Sequence, residues 1–136
     1  MIRQWFTFGF GQQYENGYHV VEAEDANAAR DEMFRRFGAQ WSYQYDSAEL
    51  AGVEKYHLHE VKWDGVTFEE LEVSLMERIN SMSTYREMLT AWRFASTGNL
   101  YFQGRVGKYF AEVMAKKKEE IGETEAVHIS KEVGWR

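Results

Sequence analysis

The chain opens with alternating apolar and polar positions, which is the pattern of a half-buried β-strand. Phe6, Phe8 and Phe10 fall on one side of this strand, and smaller residues lie mostly on the other. Asn16-Gly17 is a turn signal, and a second stretch of strand-forming residues follows it. The pattern predicts a β-hairpin at the start of the chain.

A helix and two further strands are predicted after the hairpin. Asp25 stands where it can cap a helix, whose apolar residues recur at helical spacing until Gly38 ends it. Residues 41–45 and 56–63 have strand character, and a short turn or helix near residues 48–53 separates them. The first half is therefore predicted to have the order ββαββ, in an antiparallel or mixed sheet.

The second half changes to the helical period. Thr67 with Glu70, and Thr84 with Glu87, have the spacing of a capping box, and an apolar stripe at helical spacing follows each pair. Two more apolar stripes follow, the first ending at Gly122 and the second before Gly134. Residues 98–104, between the second and third helices, are predicted to form an exposed loop, because glycine stands at both ends.

These patterns predict an α+β protein with a C-terminal region of three or four helices. Residues 1–63 form the predicted sheet unit and residues 64–136 the predicted helical unit. Two separate cores of about 60 to 70 residues would each bury little apolar surface, so the two units are predicted to pack as one domain.

Composition indicates a folded protein of a reducing compartment. Hydrophobic residues make up 44% of the chain and aromatic residues 16%, which is enough to build a core. There is no cysteine, so disulfides and zinc–thiolate sites are excluded. No stretch has the length and hydropathy of a membrane span or of a signal-peptide core, so we expect a cytoplasmic location and no membrane partner.

The net charge of −6 bears on the class of partner. Residues 1–63 carry 6 basic and 10 acidic side chains, and residues 64–136 carry 10 and 12, so both halves are acidic. Because nucleic-acid affinity comes largely from cations that neutralise phosphates, this balance disfavours a nucleic-acid partner and is compatible with a protein partner. Single-stranded nucleic acid remains an alternative if the basic residues converge in space: Arg35, Arg36, Arg105, Lys108 and Lys116 to Lys118.

A metal-dependent enzyme is the other alternative. His57 and His59 are two residues apart on a predicted strand, so both would project from one face and start a metal site that Glu49 or Asp46 would complete. Two ligands do not complete a site, and no third ligand has diagnostic spacing. No catalytic residue, metal site or cofactor is therefore assigned, and His57 and His59 are kept as the candidates for this alternative.

Aromatic residues are concentrated in the helical half. Trp and Tyr dominate binding hot spots, so part of this aromatic surface is a candidate interface with a protein partner or with a second copy of the chain. The interface candidates are Trp92, Tyr101, Phe102, Tyr109 and Trp135.

Two resemblances bear on origin. Asn99-Leu100-Tyr101-Phe102-Gln103-Gly104 resembles the recognition sequence of tobacco etch virus protease, with Gly98 in place of the leading Glu. Residues 5–63, and the segments Trp92-Arg93-Phe94-Ala95, Gly107-Lys108-Tyr109-Phe110 and Gly134-Trp135, resemble small phage and prophage proteins of unknown function. The second resemblance implies a phage-encoded protein in the host cytoplasm and implies no catalytic residues.

The sequence therefore favours a non-enzymatic binding or accessory protein that engages a protein partner through acidic and aromatic surface. The charge and the surplus of aromatic side chains both suit such a partner. Neither a nucleophile nor a phosphate-binding loop has the spacing that enzyme chemistry needs.

Overall fold

The computed structural model describes residues 1–96 and 98–135 and places four strands in one mixed sheet. The strands, in the sheet order β3-β1-β2-β4, are β1 (Ile2–Thr7), β2 (Gly17–Ala23), β3 (Tyr43–Tyr45) and β4 (His59–Glu60). Strand β1 is antiparallel to β2 and β3, and β4 is parallel to β2. Helix α1 (Ala26–Phe37) joins β2 to β3, and helix α2 (Ala48–Ala51) joins β3 to β4. The α+β class is confirmed, and the predicted ββαββ order is matched roughly, because α2 is an element of its own.

The sheet buries one face against α1. Directly opposed residues of an antiparallel pair share a face, and the pairs Phe6 with His19 and Gln4 with Val21 are all buried. Helix α1 begins as predicted, since the Asp25 carboxylate accepts the Ala28 amide at 2.8 Å. The buried apolar residues of this core are Phe6, Phe8, Val21, Ala23, Ala29, Met33, Phe37 and Val61.

The first strand is shorter than predicted, and Phe10 does not join the core. Strand β1 ends at Thr7, and the Phe10 side chain is 89% exposed. The chain leaves the strand direction because the Gly9 amide donates to the Gln12 side chain and Gly11 adopts a φ of 78°. Phe10 therefore stands at the tip of a turn, and the predicted three-phenylalanine face is wrong at this position.

The fourth strand is also shorter than predicted. Residues 56–63 contribute only His59–Glu60 to the sheet. His57 lies outside the strand in a turn, with a left-handed φ of 52°, and the Leu58 amide donates back to the Val53 carbonyl. His57 and His59 therefore do not project from one face of a strand, because the alternation of side chains requires continuous extended backbone.

His19 is a buried polar residue held in one tautomer. Arg36 can only donate, so His19 Nε2 accepts its hydrogen bond at 3.0 Å, and Nδ1–H donates to the Val61 carbonyl at 2.7 Å. Desolvation lowers the pKa of His19 below its usual value of 6.5, and the Arg36 charge lowers the pKa further, against the opposing effects of the Val61 carbonyl and of Glu60. The folded state therefore favours the neutral imidazole.

This lowered pKa predicts a loss of stability at mildly acidic pH. The unfolded chain takes up a proton at His19 before the folded chain does, so stability is full above about pH 6.5 and falls as the pH drops from there through the folded-state pKa. The slope is at most about 1.4 kcal/mol per pH unit for one proton. Urea unfolding measured from about pH 7.5 to 5 should show this fall in wild type and in His59→Gln, and a shallower one in His19→Asn. Equal slopes in all three proteins would contradict the assignment.

The second half of the chain is helical. The helices are α3 (Phe68–Ser81), α4 (Tyr85–Arg93), α5 (Gly104–Ile121) and α6 (Glu123–Val133), with a 3₁₀ turn at Leu100–Phe102. Both predicted caps are present, because Thr67 Oγ1 accepts the Glu70 amide and Thr84 Oγ1 accepts the Glu87 amide. The predicted region of three or four helices is thus matched in outline.

The segment between α4 and α5 is not the exposed loop that the sequence predicts. Leu100, Tyr101 and Phe102 form the 3₁₀ turn and are all half-buried. The Asn99 side-chain oxygen accepts a hydrogen bond from the Tyr101 amide at 2.9 Å. The Phe102 ring packs edge-on against the Phe110 ring, with 4.8 Å between the ring centroids. The apolar character of these three residues outweighs the turn preference of the glycines beside them.

The chain divides into two compact units, Met1–Leu71 and Glu72–Arg136. The boundary falls inside α3, eight residues beyond the predicted end of the sheet unit at residue 63. In the second unit, α4, α5 and α6 contact one another. Their core contains Tyr85, Leu89, Ala126 and Ile129, with Met114 and Val133 packed against it. The joint core of the two halves stays a prediction.

Candidate functional site

Helices α4, α5 and α6 surround an apolar cleft with a volume of about 570 Å³. Binding sites for small ligands and side chains commonly occupy about 300 to 1,000 Å³, so the cleft is large enough to accept several side chains. Leu89 and Trp92 of α4 line it, and Phe102 and Phe110 lie on another side. The cleft is therefore a preformed apolar site within the helical unit.

Helix α5 gives the cleft a floor of small residues. Gly107, Ala111 and Ala115 recur every four residues and so lie in one row along the helix. Both alanines are exposed to solvent, as is Val127 of α6, which is 46% exposed. The cleft is thus open along its length.

Gly107 also fixes the 3₁₀ turn at one end of the cleft. A Cβ atom at this position would lie 2.5 Å from the Phe102 carbonyl carbon and 2.7 Å from its oxygen. Only glycine lets the backbone of the turn approach α5 so closely. This approach holds Phe102 against Phe110 at the cleft wall.

Arg93 lies at the same end and joins α4 to the end of α6. Its Nη1 donates to the Ser130 carbonyl at 2.7 Å and to the Gly134 carbonyl at 3.1 Å, and its Nη2 donates to Ser130 Oγ. The Trp135 ring lies 4.1 Å from the guanidinium carbon. Arg93 thus stabilises the negative end of the α6 dipole through carbonyl groups and a π face.

The charge of Arg93 has no carboxylate partner in the described part of the chain. Its hydrogen bonds in residues 1–96 and 98–135 all go to neutral oxygens, and its buried Nε has no acceptor there. A guanidinium with neutral partners keeps its full positive charge, and the aromatic and apolar surroundings strengthen its field.

Lys118 supplies a second cation at the opposite end. It lines the cleft near the end of α5, five residues before α6 begins at Glu123, and its side chain is exposed. Its ammonium group forms no ion pair with any residue that the structure describes. Arg93 and Lys118 are the charged residues of the described lining, which contains no Asp or Glu.

The structure brings only some of the predicted interface aromatics together. Trp92 and Phe102 line the cleft, and Trp135 contacts Trp92 with ring centroids 5.9 Å apart. Tyr101 contacts Phe102 at 6.4 Å without lining the cleft. The Tyr109 hydroxyl instead donates to the Asn80 side chain of α3. Trp92 and Trp135 are 48% and 68% exposed, so both rings are accessible to a partner.

The alternative sites do not assemble among the described residues. No group of three or more His, Asp or Glu in residues 1–96 and 98–135 is placed to hold a metal ion. His57 and His59 are both exposed, one in a turn and one in β4. No helix in this part of the chain is long and apolar enough to cross a membrane.

Several of the basic residues considered for nucleic acid are paired within the protein. Arg35 and Arg36 both bind Glu32, which holds the pKa of that carboxyl at about 2, chiefly through the Arg35 hydrogen bond. Arg105 pairs with Glu72 at 3.0 Å. Phe6 and Phe8 are buried, so they cannot stack on bases.

No protein-family model, curated protein sequence or solved structure matches the chain. The geometry defines an open apolar cleft with a cation at each end, on a small helical unit.

Part of this site is predictable from the sequence. Trp92 and Phe102 are predicted interface residues because aromatic side chains mark interfaces, and both line the cleft. Lys118 is predicted only as one of the basic residues considered for nucleic acid. Ala111 and Ala115 carry no functional prediction, although alanine and glycine at four-residue spacing on α5 are a visible signal for a close-packing helix face. Arg93 gave no signal, since its partners lie 37 and 41 residues away in the sequence.

Proposed function

We propose that this protein is a non-enzymatic binding module that engages a segment of a protein partner in the cleft between α4, α5 and α6. The observation that carries the proposal is the open apolar cleft of about 570 Å³, with the half-exposed Trp92 at its wall. Aromatic side chains around a pocket are the usual anchors of protein interfaces. The proposed contact surface is thus aromatic and apolar, and its charged residues are Arg93 and Lys118. It differs in charge from the acidic contact surface expected from the sequence.

The shape of the cleft favours a peptide segment over an enclosed small molecule. Small-molecule sites are concave and bury roughly 70 to 90% of the surface of a drug-sized ligand. Here Ala111, Ala115 and Val127 leave one side open along α5 and α6. Small residues at four-residue spacing allow another helix to pack closely in the groove.

Filling the cleft should abolish binding without unfolding the protein. A library of random 16-residue peptides is displayed and selected on the full chain, and the recovered peptides are titrated against Ala115→Trp. Since Ala115 is exposed, the indole is tolerated and occupies the groove. We expect the dissociation constant to rise at least tenfold.

The matched control is Thr124→Trp, which adds the same ring at an exposed position of α6 outside the cleft lining. It should bind the peptides within about twofold of wild type, since surface substitutions away from a site change its energetics little. Recovery of no peptide, or equal binding by Ala115→Trp and wild type, would refute the proposed function.

A further inference from the structure

We infer that the segment bound in the cleft is an acidic amphipathic helix of about three turns, with a carboxylate at one end that pairs with Lys118 and a carboxylate at the other end that lies in the field of Arg93. This inference rests on the proposed function and adds the chemistry of the partner. It is carried by the placement of the two cations at opposite ends of one apolar groove.

The length of the groove sets the length of the occupant. Gly107 and Lys118 line its two ends and are eleven residues apart on α5, which corresponds to about 16 Å at 1.5 Å per residue. Arg93 lies at the Gly107 end, because it binds the carbonyls that terminate α6. A helix of the same length has three turns, so an acidic residue at one end would reach Lys118 and one at the other end would lie in the field of Arg93.

The charge of the groove sets the charge of the occupant. Within residues 1–96 and 98–135, neither Arg93 nor Lys118 has a carboxylate partner, whereas Arg86 and Arg105 pair with Glu132 and Glu72. Ion pairs at an interface mainly select the partner and its orientation. A basic segment would place like charges together at both ends of the groove.

The apolar lining requires that the bound helix has an apolar face. Leu89, Trp92, Phe102 and Phe110 need apolar side chains opposite them, and the row of Gly107, Ala111 and Ala115 leaves room for a helix backbone. A helix that buries one face in a groove presents apolar residues at spacings of three and four. The partner segment is therefore amphipathic as well as acidic.

The test starts from the peptide with the lowest dissociation constant recovered in the library selection above. We expect the recovered pool to carry net negative charge, and we expect an amide version, with every Glu and Asp changed to Gln and Asn, to bind about fivefold more weakly at low salt. Lys118→Gln should weaken the acidic peptide about two- to fivefold and leave the amide version unchanged. Lys116→Gln removes the same charge from an exposed position of α5 outside the lining, and it should change neither.

The outcomes separate the two proposals. If the recovered peptides do not bind Ala115→Trp but carry no net negative charge, the acidic-helix inference is wrong and the protein-binding cleft still holds. The same conclusion follows if the amide version binds wild type as tightly as the acidic peptide does. Recovery of no peptide, together with palmitate binding that Ala115→Trp abolishes, would overturn both and assign the cleft to a lipid. A dimer of the free protein that Ala115→Trp dissociates would assign the groove to a second copy and overturn the inference.

Discussion

Replacing Phe110 with alanine is expected to lower the free energy of unfolding by about 3–5 kcal/mol. Phe110 is 2% exposed, and its ring packs edge-on against Phe102 at 4.8 Å. The substitution removes the buried apolar area and leaves a cavity that the neighbouring helices can fill only in part. Aromatic pairs of this geometry add about 0.5–1.5 kcal/mol beyond the area buried.

Urea unfolding followed by circular dichroism at 222 nm measures this loss. The control is Phe94→Ala, the same truncation at a position that is 39% exposed in the same helical unit, and it should cost less than about 1 kcal/mol. Equal losses in the two variants would show that Phe110 does not lie in the core of the helical unit.

Replacing Gly107 with valine is the second substitution with a large expected effect. The new Cβ would overlap the Phe102 backbone, which cannot move aside as a flexible side chain can. The turn must detach from α5, with loss of the Phe102 contact to Phe110, and we expect a cost of about 2–3 kcal/mol. Lys108→Val, at the exposed neighbouring position, tests the effect of valine in the helix alone and should cost about 0.5 kcal/mol.

Proteolysis gives a second measurement of the same change. Residues 99–104 resemble a tobacco etch virus protease site, and a protease needs its substrate extended. With Leu100–Phe102 in a 3₁₀ turn, the wild type should be cut slowly after Gln103. Gly107→Val should be cut faster under the same conditions, because its turn has detached. Equal rates in the two proteins would show that the turn does not depend on Gly107.

The elements with local signals were predictable from the sequence. Asp25, Thr67 and Thr84 each accept a backbone amide three residues ahead, as capping residues do. These bonds depend on side chains within one helical turn. The positions of α1, α3 and α4 could therefore be derived without any knowledge of tertiary contacts.

Features that depend on how particular side chains and backbone segments pack were not predictable. Phe10 continues the alternation of β1, yet two hydrogen-bonded side chains, Gln12 and Glu15, turn the loop away from the sheet. The 3₁₀ turn can lie this close to α5 because Gly107 has no side chain that would overlap the Phe102 backbone. In both cases periodicity describes the local preference, and packing decides the outcome.

The candidate site was also predictable only in part. Its aromatic residues could be selected by type, but its cations could not be separated from other surface charges in the sequence. Arg93 and Lys118 line the cleft and have no carboxylate partner among the described residues, whereas Arg105 lies outside the lining and pairs with Glu72. This distinction is a property of helix packing and has no signature in composition.

The binding cleft is tested most directly by nuclear magnetic resonance of the full chain, labelled with ¹⁵N and titrated with the acidic peptide recovered from the library. The amide signals of Gly107, Ala111, Ala115 and Val127 should shift, while those of β1 and β2 stay in place. The same titration of Ala115→Trp should shift none of them at equal peptide concentration. Shifts centred on the sheet, or on the exposed Phe10 turn, with the α5 signals unchanged, would contradict a binding site between α4, α5 and α6.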